Sequence, residues 1–434
     1  MTALPVDFDP TDPVLNEERV PLQEFMELRR TAPVFWIEQK PEARAGFLDT
    51  GFWAVSKHED ILAVSKDSEN FSTNENGVII RFAPDMTREQ VELQRAMLIH
   101  HDAPDHTKLR QIISRGFTPR AINALKDRLV ERANSIVDDA LAKGEGDFVA
   151  EVAAELPLQA IAELLGVPQE DRRKLFDWSN QMLAYDDPEY NADPEAASIE
   201  ILTYAMTLAA ERKADPKDDI ISKLVNAEME GGALGDDEFG FFVILLAVAG
   251  NETTRNAISH GMQAFFENPD QWELWKNERP DTMVDEVIRW ATPVTVFHRT
   301  AINDVEVGGQ LIKAGQRVGL YYASGNHDED VFDDPDTFDI TREHNPHLAF
   351  GGHGAHYCIG ANLARMEVRI MFDVIADRMP DLKPNGAPRR LRHAWINGIK
   401  ELPVTYARAL GTTALEKWGR RNGEPAGTHF FSAS

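Results

Sequence analysis

Residues 350–361 read Phe-Gly-Gly-His-Gly-Ala-His-Tyr-Cys-Ile-Gly-Ala, and Cys358 is the only cysteine in the 434-residue chain. Just beyond it, Leu363, Met366, Ile370 and Val374 recur three or four apart, which predicts a helix. A thiol at a helix N-terminus sits beside free N–H groups and the positive end of the dipole. Both favour the thiolate over an ordinary thiol of pKa ~8.5. Gly351, Gly352, Gly354 and Gly360 are expected to let backbone approach something flat and bulky without a Cβ clash. His356, two residues before the thiol, adds a donor. A lone thiolate cannot build a structural zinc site or an iron–sulfur cluster, which need several thiolates or histidines. It can be the axial ligand of a haem iron, a nucleophile, or a buried cysteine acting as a small hydrophobe.

The composition bounds the class. Forty-three per cent of the residues are hydrophobic, ample for a core, and no linker, repeat or low-complexity run divides the chain, so one domain over residues 1–434 is expected. The net charge of −27 disfavours nucleic acid and anionic membrane as partners. One cysteine forms no intramolecular disulfide, which suits a reducing cytoplasm. Met1–Asp12 is rich in proline and aspartate rather than apolar, so no signal peptide is expected. The apolar run Phe239–Gly250 is shorter than the ~20 residues a bilayer-spanning helix needs. A soluble, bacterial-type protein follows, with an extended segment over 1–20 and a mobile tail over 411–434.

Further stretches carry chemistry. Asp236–Glu267 reads as a long helix, almost continuously apolar from Phe239 to Ala249 and therefore buried all round. Gly250, Asn251, Glu252, Thr253 and Thr254 then interrupt it. Glycine in a helix costs ~1 kcal/mol relative to alanine, and a buried carboxylate needs a partner. Either Gly250 opens room beside Glu252 and Thr253 for proton delivery, or the helix kinks there with threonine bonded back to its carbonyls. His106 and Arg110 are four apart and share a helix face, able to hold carboxylates or merely face solvent. Glu286 and Arg289 can pair at i,i+3, with apolar Val284, Val287, Ile288 and Trp290 around them. Residues 72–104 join two clear elements through the apolar run Val78-Ile79-Ile80 and Phe82, as a lid or pocket wall or as a packed loop. Val305–Lys313 and Arg317–Tyr321 read as strands, and Leu391–Tyr406 as a hairpin turning at Ile396-Asn397-Gly398.

The cysteine loop resembles the haem-ligand signature of the cytochrome P-450 family, Phe-Gly-x-Gly-x-His-x-Cys-x-Gly. Gly354, His356, Cys358 and Gly360 match in register; Phe350 stands one residue early and Gly351 takes its place. Ala249–Thr254 is similar to the family's Ala/Gly-Gly-x-Asp/Glu-Thr pattern, and Glu286-x-x-Arg289 and His106-x-x-x-Arg110 occur in the family's order. The resemblance implies a mainly α fold with small β-sheets and a haem b between the long helix and the Cys-loop helix. It makes Cys358 the axial ligand and His106, Arg110, Arg299 and His356 the groups on the cofactor. Glu252 and Thr253 would relay protons, and Glu286 and Arg289 would be structural. The implied reaction is monooxygenation with dioxygen as co-substrate. Electrons would come from a ferredoxin and its NAD(P)H-dependent reductase, docking on Lys108, Arg110, Arg115 or Arg365.

The runs Pro157–Ile161, Gly240–Asn256 and Arg289–Thr295 are similar to the actinobacterial steroid C26-monooxygenases. That implies oxidation of the terminal methyl of a sterol side chain, in cholesterol or cholest-4-en-3-one. Val78, Ile79, Phe82, Val248, Ala249, Val294, Phe297 and Trp395 are the candidate pocket walls, although core packing explains any one of them equally well. The alternatives are ω-hydroxylation of a methyl-branched lipid or fatty acid, a non-catalytic haem sensor or carrier, and a peroxide-driven peroxygenase.

Overall fold

The computed structural model describes residues 8–190, 192–217, 220–226 and 235–407. The expected tail over 411–434 and the first seven residues lie outside them. Residues 8–20, expected to be extended, contain helix α1 (Pro13–Glu18). Asp12 caps it by accepting from Val14 N–H, with proline in the first turn, where its missing N–H costs nothing.

The helices α2 (Leu22–Thr31) and α3 (His58–Lys66) flank the first strands, and α4 (Arg88–Leu93) lies within the long connection over 72–104. Then come α5 (Asp105–Ser114), α6 (Pro119–Asn123), α7 (Lys126–Lys143) and α8 (Glu155–Leu165). They are followed by α9 (Arg172–Leu183), α10 (Pro194–Ala214), α11 (Ile220–Val225) and α12 (Asp236–Glu267). The last are α13 (Pro269–Glu278), α14 (Met283–Ala291), α15 (Tyr322–Gly325) and α16 (Ala361–Arg378). Strands β1 (Val34–Glu38), β2 (Gly51–Val55) and β3 (Phe71–Ser72) join two later strands in a sheet. After β4 (Glu145–Asp147) come those two, β5 (Val296–Ala301) and β8 (Arg317–Tyr321), with β6 (Val305–Val307) and β7 (Gln310–Ile312) between them. The sheet order is β1-β2-β8-β5-β3, with β2 and β8 parallel and the other pairs antiparallel.

Two sequence readings change here. Val305–Lys313 is a tight hairpin of β6 and β7 turning at Gly308-Gly309, not one strand. The C-terminal hairpin pairs β10 (Arg389–Arg390) with β11 (Ile399–Glu401), and Leu391 N–H donates to Gly398 C=O. Residues 392–397 form its loop, so Asn397-Gly398 closes the ladder instead of turning it. Beyond it, β12 (Pro403–Thr405) pairs with β4 and with β9 (Lys383–Pro384).

The largest core joins α7, α8, α12, α14 and α16. Helix α12 crosses it, burying Phe239, Phe242, Val243, Leu246, Ile258 and Phe265. A second cluster, around Phe25, Phe52, Tyr321 and Trp395, joins the sheet to the C-terminal hairpin. Between the helical core and the sheet lies a cavity of about 240 Å³, walled by α12, α16, β5 and the cysteine loop.

Candidate active site

The cysteine loop lies on α3. A Cβ at Gly354 would stand 1.7 Å from Ser65 O, and one at Gly352 would stand 2.3 Å from Ser65 Oγ. Those two glycines serve close packing against α3, and with Gly351 and Gly360 they also line the cavity. Phe350 C=O accepts from Cys358 N–H at 3.0 Å. The Phe350 ring packs under the Arg365 guanidinium, 4.6 Å from its centroid, so the aromatic displaced by one residue still covers the loop. Arg365 is held by Asp285 at 2.7 Å, and that carboxylate also takes His347 at 3.0 Å.

Cys358 opens onto the cavity rather than onto bulk solvent. Burial pushes its thiol pKa up, against the Gly360 and Ala361 N–H groups and the Arg110 and Arg365 cations, which favour the thiolate. The N–H groups at the start of α16 thus act in the expected direction, against the cost of burial. Coordination to a metal cation is what deprotonates such a thiol outright.

One end of the cavity is cationic. Arg110 donates to Tyr357 C=O, and Arg299 on β5 reaches the lining with Nη1 bonded to His298 C=O at 2.8 Å. His106 and His356 stand with ring centroids 4.1 Å apart. His356 Nε2 meets Thr73 Oγ1 at 3.3 Å, whereas His106 Nε2 is buried with no hydrogen-bond partner among the described residues. Burial, with neighbouring cations, lowers His106 to about 4 and His356 to about 2, so both rings are neutral. The four expected anion-holding residues thus meet at one place.

On the opposite wall, α12 lines the cavity with Leu245, Leu246, Ala249, Gly250, Thr253, Thr254 and Ala257. Thr253 Oγ1 donates to Ala249 C=O at 2.6 Å. A Cβ at Gly250 would lie 2.2 Å from Ile161 Cδ1, so the room expected there is filled by α8. Glu252 does not line the cavity. It is 2 % exposed, ion-paired with Arg255, and accepts from Asn256 Nδ2 at 2.9 Å. Arg255 in turn donates to Asn180 Oδ1 on α9 at 3.2 Å. Glu252 therefore has the partners that a buried carboxylate needs.

Of the eight expected pocket residues, Val78, Ala249, Val294 and Phe297 line the cavity. The other four are packed away from it. Phe82 stacks on Phe47 at 5.3 Å, and Ile79 and Val248 pack against the neighbouring apolar clusters. Trp395 donates to Tyr185 Oη at 3.0 Å. Sequence reasoning missed Leu98, Ile99, Phe117, Leu245, Leu246 and Glu367, all in the lining. Leu245, Leu246, Ala249, Thr253 and Ala257 follow helical spacing, which could have identified that face. Residues 72–104 contribute Val78, Leu98 and Ile99, so this connection is a pocket wall. Glu286 and Arg289, both fully buried, pair through two 2.8 Å bonds behind the loop.

A single sulfur ligand, apolar faces and one cationic end with an unpartnered ring nitrogen suit a flat, anionic metallocofactor. The comparisons agree. The Cytochrome P450 family model matches residues 280–377. The chain belongs to this family, and its site is that of a protein that uses haem iron and dioxygen. Among its relatives, the steroid C26-monooxygenase of Rhodococcus jostii (strain RHA1) is 61% identical over 408 residues, 94% of this chain and 86% of the relative. The methyl-branched lipid omega-hydroxylase of Mycobacterium tuberculosis (strain ATCC 25618 / H37Rv) is 41% identical over 394 residues, covering 88% and 90%. In structure, the Mycobacterium marinum cytochrome P450 CYP268A2, solved with pseudoionone, matches with a TM-score of 0.85 at 38% identity, covering 94% and 100%. No helix among the described residues is long and apolar enough to cross a membrane.

Proposed function

We propose that this chain is a monooxygenase that hydroxylates the terminal methyl of a sterol side chain, in cholesterol or cholest-4-en-3-one, and onward to the acid. The observation that carries it is one apolar cavity reached by both Cys358 and Thr253, together with 61% identity to a steroid C26-monooxygenase. Haem b, bound through Cys358, supplies oxygen activation driven by two electrons from outside the chain.

The polypeptide does the rest. Arg110, Arg299, His106 and His356 hold the cofactor's carboxylates. Val78, Ala249, Val294 and Phe297 exclude water and bind the sterol tail. A primary C–H is stronger than the tertiary C–H beside it, so shape must select the tip of the tail. Thr253 exchanges its hydroxyl proton with the cavity, and Glu252 stands behind it as the acid held by Arg255. Glu286 and Arg289 are structural. The electron donor is a ferredoxin reduced by an NAD(P)H-dependent reductase.

The test is spectral and chemical. Cholestenone should shift the haem band from low to high spin at micromolar levels, and the product should be the terminal alcohol. Cys358→Ser should lose the thiolate signature in the carbon-monoxide difference spectrum; an unaltered spectrum and turnover would sink the reading. Thr253→Ala should divert electrons to peroxide, whereas a passive haem carrier would show no such change. The 41% identical omega-hydroxylase favours a second substrate, a methyl-branched lipid. A spin shift with that lipid and none with cholestenone would establish it instead.

A further inference from the structure

Three segments far apart in the chain meet at one oxygen, the hydroxyl of Tyr185. It donates to Arg81 C=O at 3.0 Å, in the connection over residues 72–104. It accepts from Trp395 Nε1 at 3.0 Å, in the loop of the C-terminal hairpin. Tyr185 itself lies in the connection from α9 to α10. Burial pushes its phenol pKa up, so the oxygen keeps the proton that the bond to Arg81 needs. One partner satisfies a buried tyrosine hydroxyl. This one has two, on different segments.

The tie continues to the cavity. The Trp395 ring packs on Phe297 with centroids 5.7 Å apart, and Phe297 lines the cavity. Trp395 C=O accepts from Thr295 N–H at 2.9 Å, and Ile396 forms a β-bridge with Val294, also in the lining. His393 holds the same loop. Its Nδ1 accepts from the N–H groups of Trp395 and Ile396, both at 3.2 Å, so Nε2 carries the proton given to Leu183 C=O. Its ring packs on both Tyr185 and Trp395, at 5.3 and 5.0 Å. Ile80, Leu183, Trp395 and Ile396 are buried in one apolar cluster, with Val294 and Phe297 packed against it.

We propose that Tyr185 is a specificity-determining positioning residue: its hydroxyl fixes Trp395, and through it the Phe297 and Val294 wall that decides which carbon of the substrate tail is oxidised. Tyr185 is absent from the cavity lining, so it acts through these neighbours. The inference rests on the terminal-hydroxylation reading above. The tertiary C–H beside the terminal methyl is the weaker bond, so a wall that shifts lets the easier position react.

Hydrogen exchange of the holoprotein without substrate tests the tie. Tyr185→Phe removes the hydroxyl and keeps the ring. Exchange should rise both in residues 79–84 and in residues 392–397. Trp395→Phe should raise it in 392–397 alone, because Tyr185 still holds Arg81. Unchanged protection of both segments in Tyr185→Phe overturns the proposal. With cholestenone, the ratio of terminal to tertiary alcohol should fall severalfold in Tyr185→Phe, up to about tenfold, the weight of one hydrogen bond. Combining Tyr185→Phe with Trp395→Phe should add little to the effect of either, as for two residues acting through one contact. A residue that only stabilises the fold would lower the melting temperature and leave the product ratio alone, and that result also overturns the proposal. If Tyr185→Phe does not fold, Trp395→Phe must lower the same ratio, and an unchanged ratio refutes it. If the native protein yields no sterol alcohol, the sterol reading fails. The ratio is then read on a methyl-branched lipid, and the exchange result stands.

Discussion

Arg289 donates to five oxygens from a position with no exposure: both carboxylate oxygens of Glu286 and the carbonyls of Asn326, Pro335 and Thr337. Lysine cannot reproduce a planar fork with this reach. Arg289→Ala leaves Glu286 buried, with Arg342 at 3.2 Å and Asn345 at 3.1 Å as its remaining side-chain partners. The expected loss is about 3–5 kcal/mol, the usual cost of removing one half of a buried pair. Denaturant midpoints measure it; a loss below about 1 kcal/mol, the scale of a surface pair, would mean the remaining partners suffice. Glu367 makes a prediction of the opposite kind. Its folded pKa of about 8 lies above the ordinary 4.5, so the folded state holds a proton that the unfolded state has released between those values. Its contribution to stability is therefore full below about pH 4.5 and is lost as pH rises through about 8. Glu367→Gln should flatten the fall in melting temperature between pH 5 and 9; an equal fall in both proteins would refute this.

At the scale of elements, the connection between α9 and α10 is tied to the C-terminal hairpin. Lys400 reaches Asp187 at 2.8 Å, with side chains 5% and 1% exposed, and Glu189 at 3.0 Å. Asp186 accepts from Ala394 N–H at 3.1 Å, and His393 Nε2 meets Leu183 C=O at 2.8 Å. On the other side, among the described contacts, α4 reaches α10 through the exposed 3.4 Å bond from Gln90 to Glu195. Lys400→Met would strand a buried carboxylate and loosen this strap. Proteolysis within residues 184–190 should accelerate and sterol should bind faster, with the amplitude of the spectral shift unchanged; an unchanged binding rate would show that the strap does not gate entry. The strap was not legible in the sequence, because it is made by residues some two hundred positions apart. What was legible was local. Helix α12, with the bounds Asp236–Glu267, follows from its unbroken apolar run and the Asn268-Pro269 stop. Strand β8 matches its expected bounds, with Val318 and Tyr321 the residue types that favour strands. That Glu252 turns away from the cavity was not legible, because chain proximity to Thr253 carries no orientation: adjacent helix residues point about 100° apart. Trp395 and Phe82 were misread because an apolar side chain looks the same in sequence whether it faces a cavity or a core.

Over the whole molecule, a net charge of −27 should repel an acidic electron donor unless cations are concentrated where it docks. Two of the expected docking cations are not free for this. Arg110 points inward to Tyr357, and Arg365 is held by Asp285, whose pKa falls to about 2 because bonds from His347 and Arg365 outweigh its burial. Lys108 on α5, Arg115 on the turn that follows it and Arg120 on α6 are exposed. They share a short stretch of chain with Arg110, whose guanidinium reaches the residue next to Cys358, so a donor bound there would stand near the sulfur side of the site. Attraction between exposed charges fades beyond a Debye length of about 8 Å at physiological ionic strength. The first-electron rate with an acidic ferredoxin should therefore fall steeply as salt rises. Arg115→Glu should lower that rate and flatten its salt dependence, with the haem spectrum and sterol affinity unchanged. Stopped-flow reduction at several salt concentrations checks it. Equal rates in the two proteins at low salt would place the donor elsewhere, whereas a slower rate with the original salt slope would mean that Arg115 shapes the docked geometry rather than the encounter.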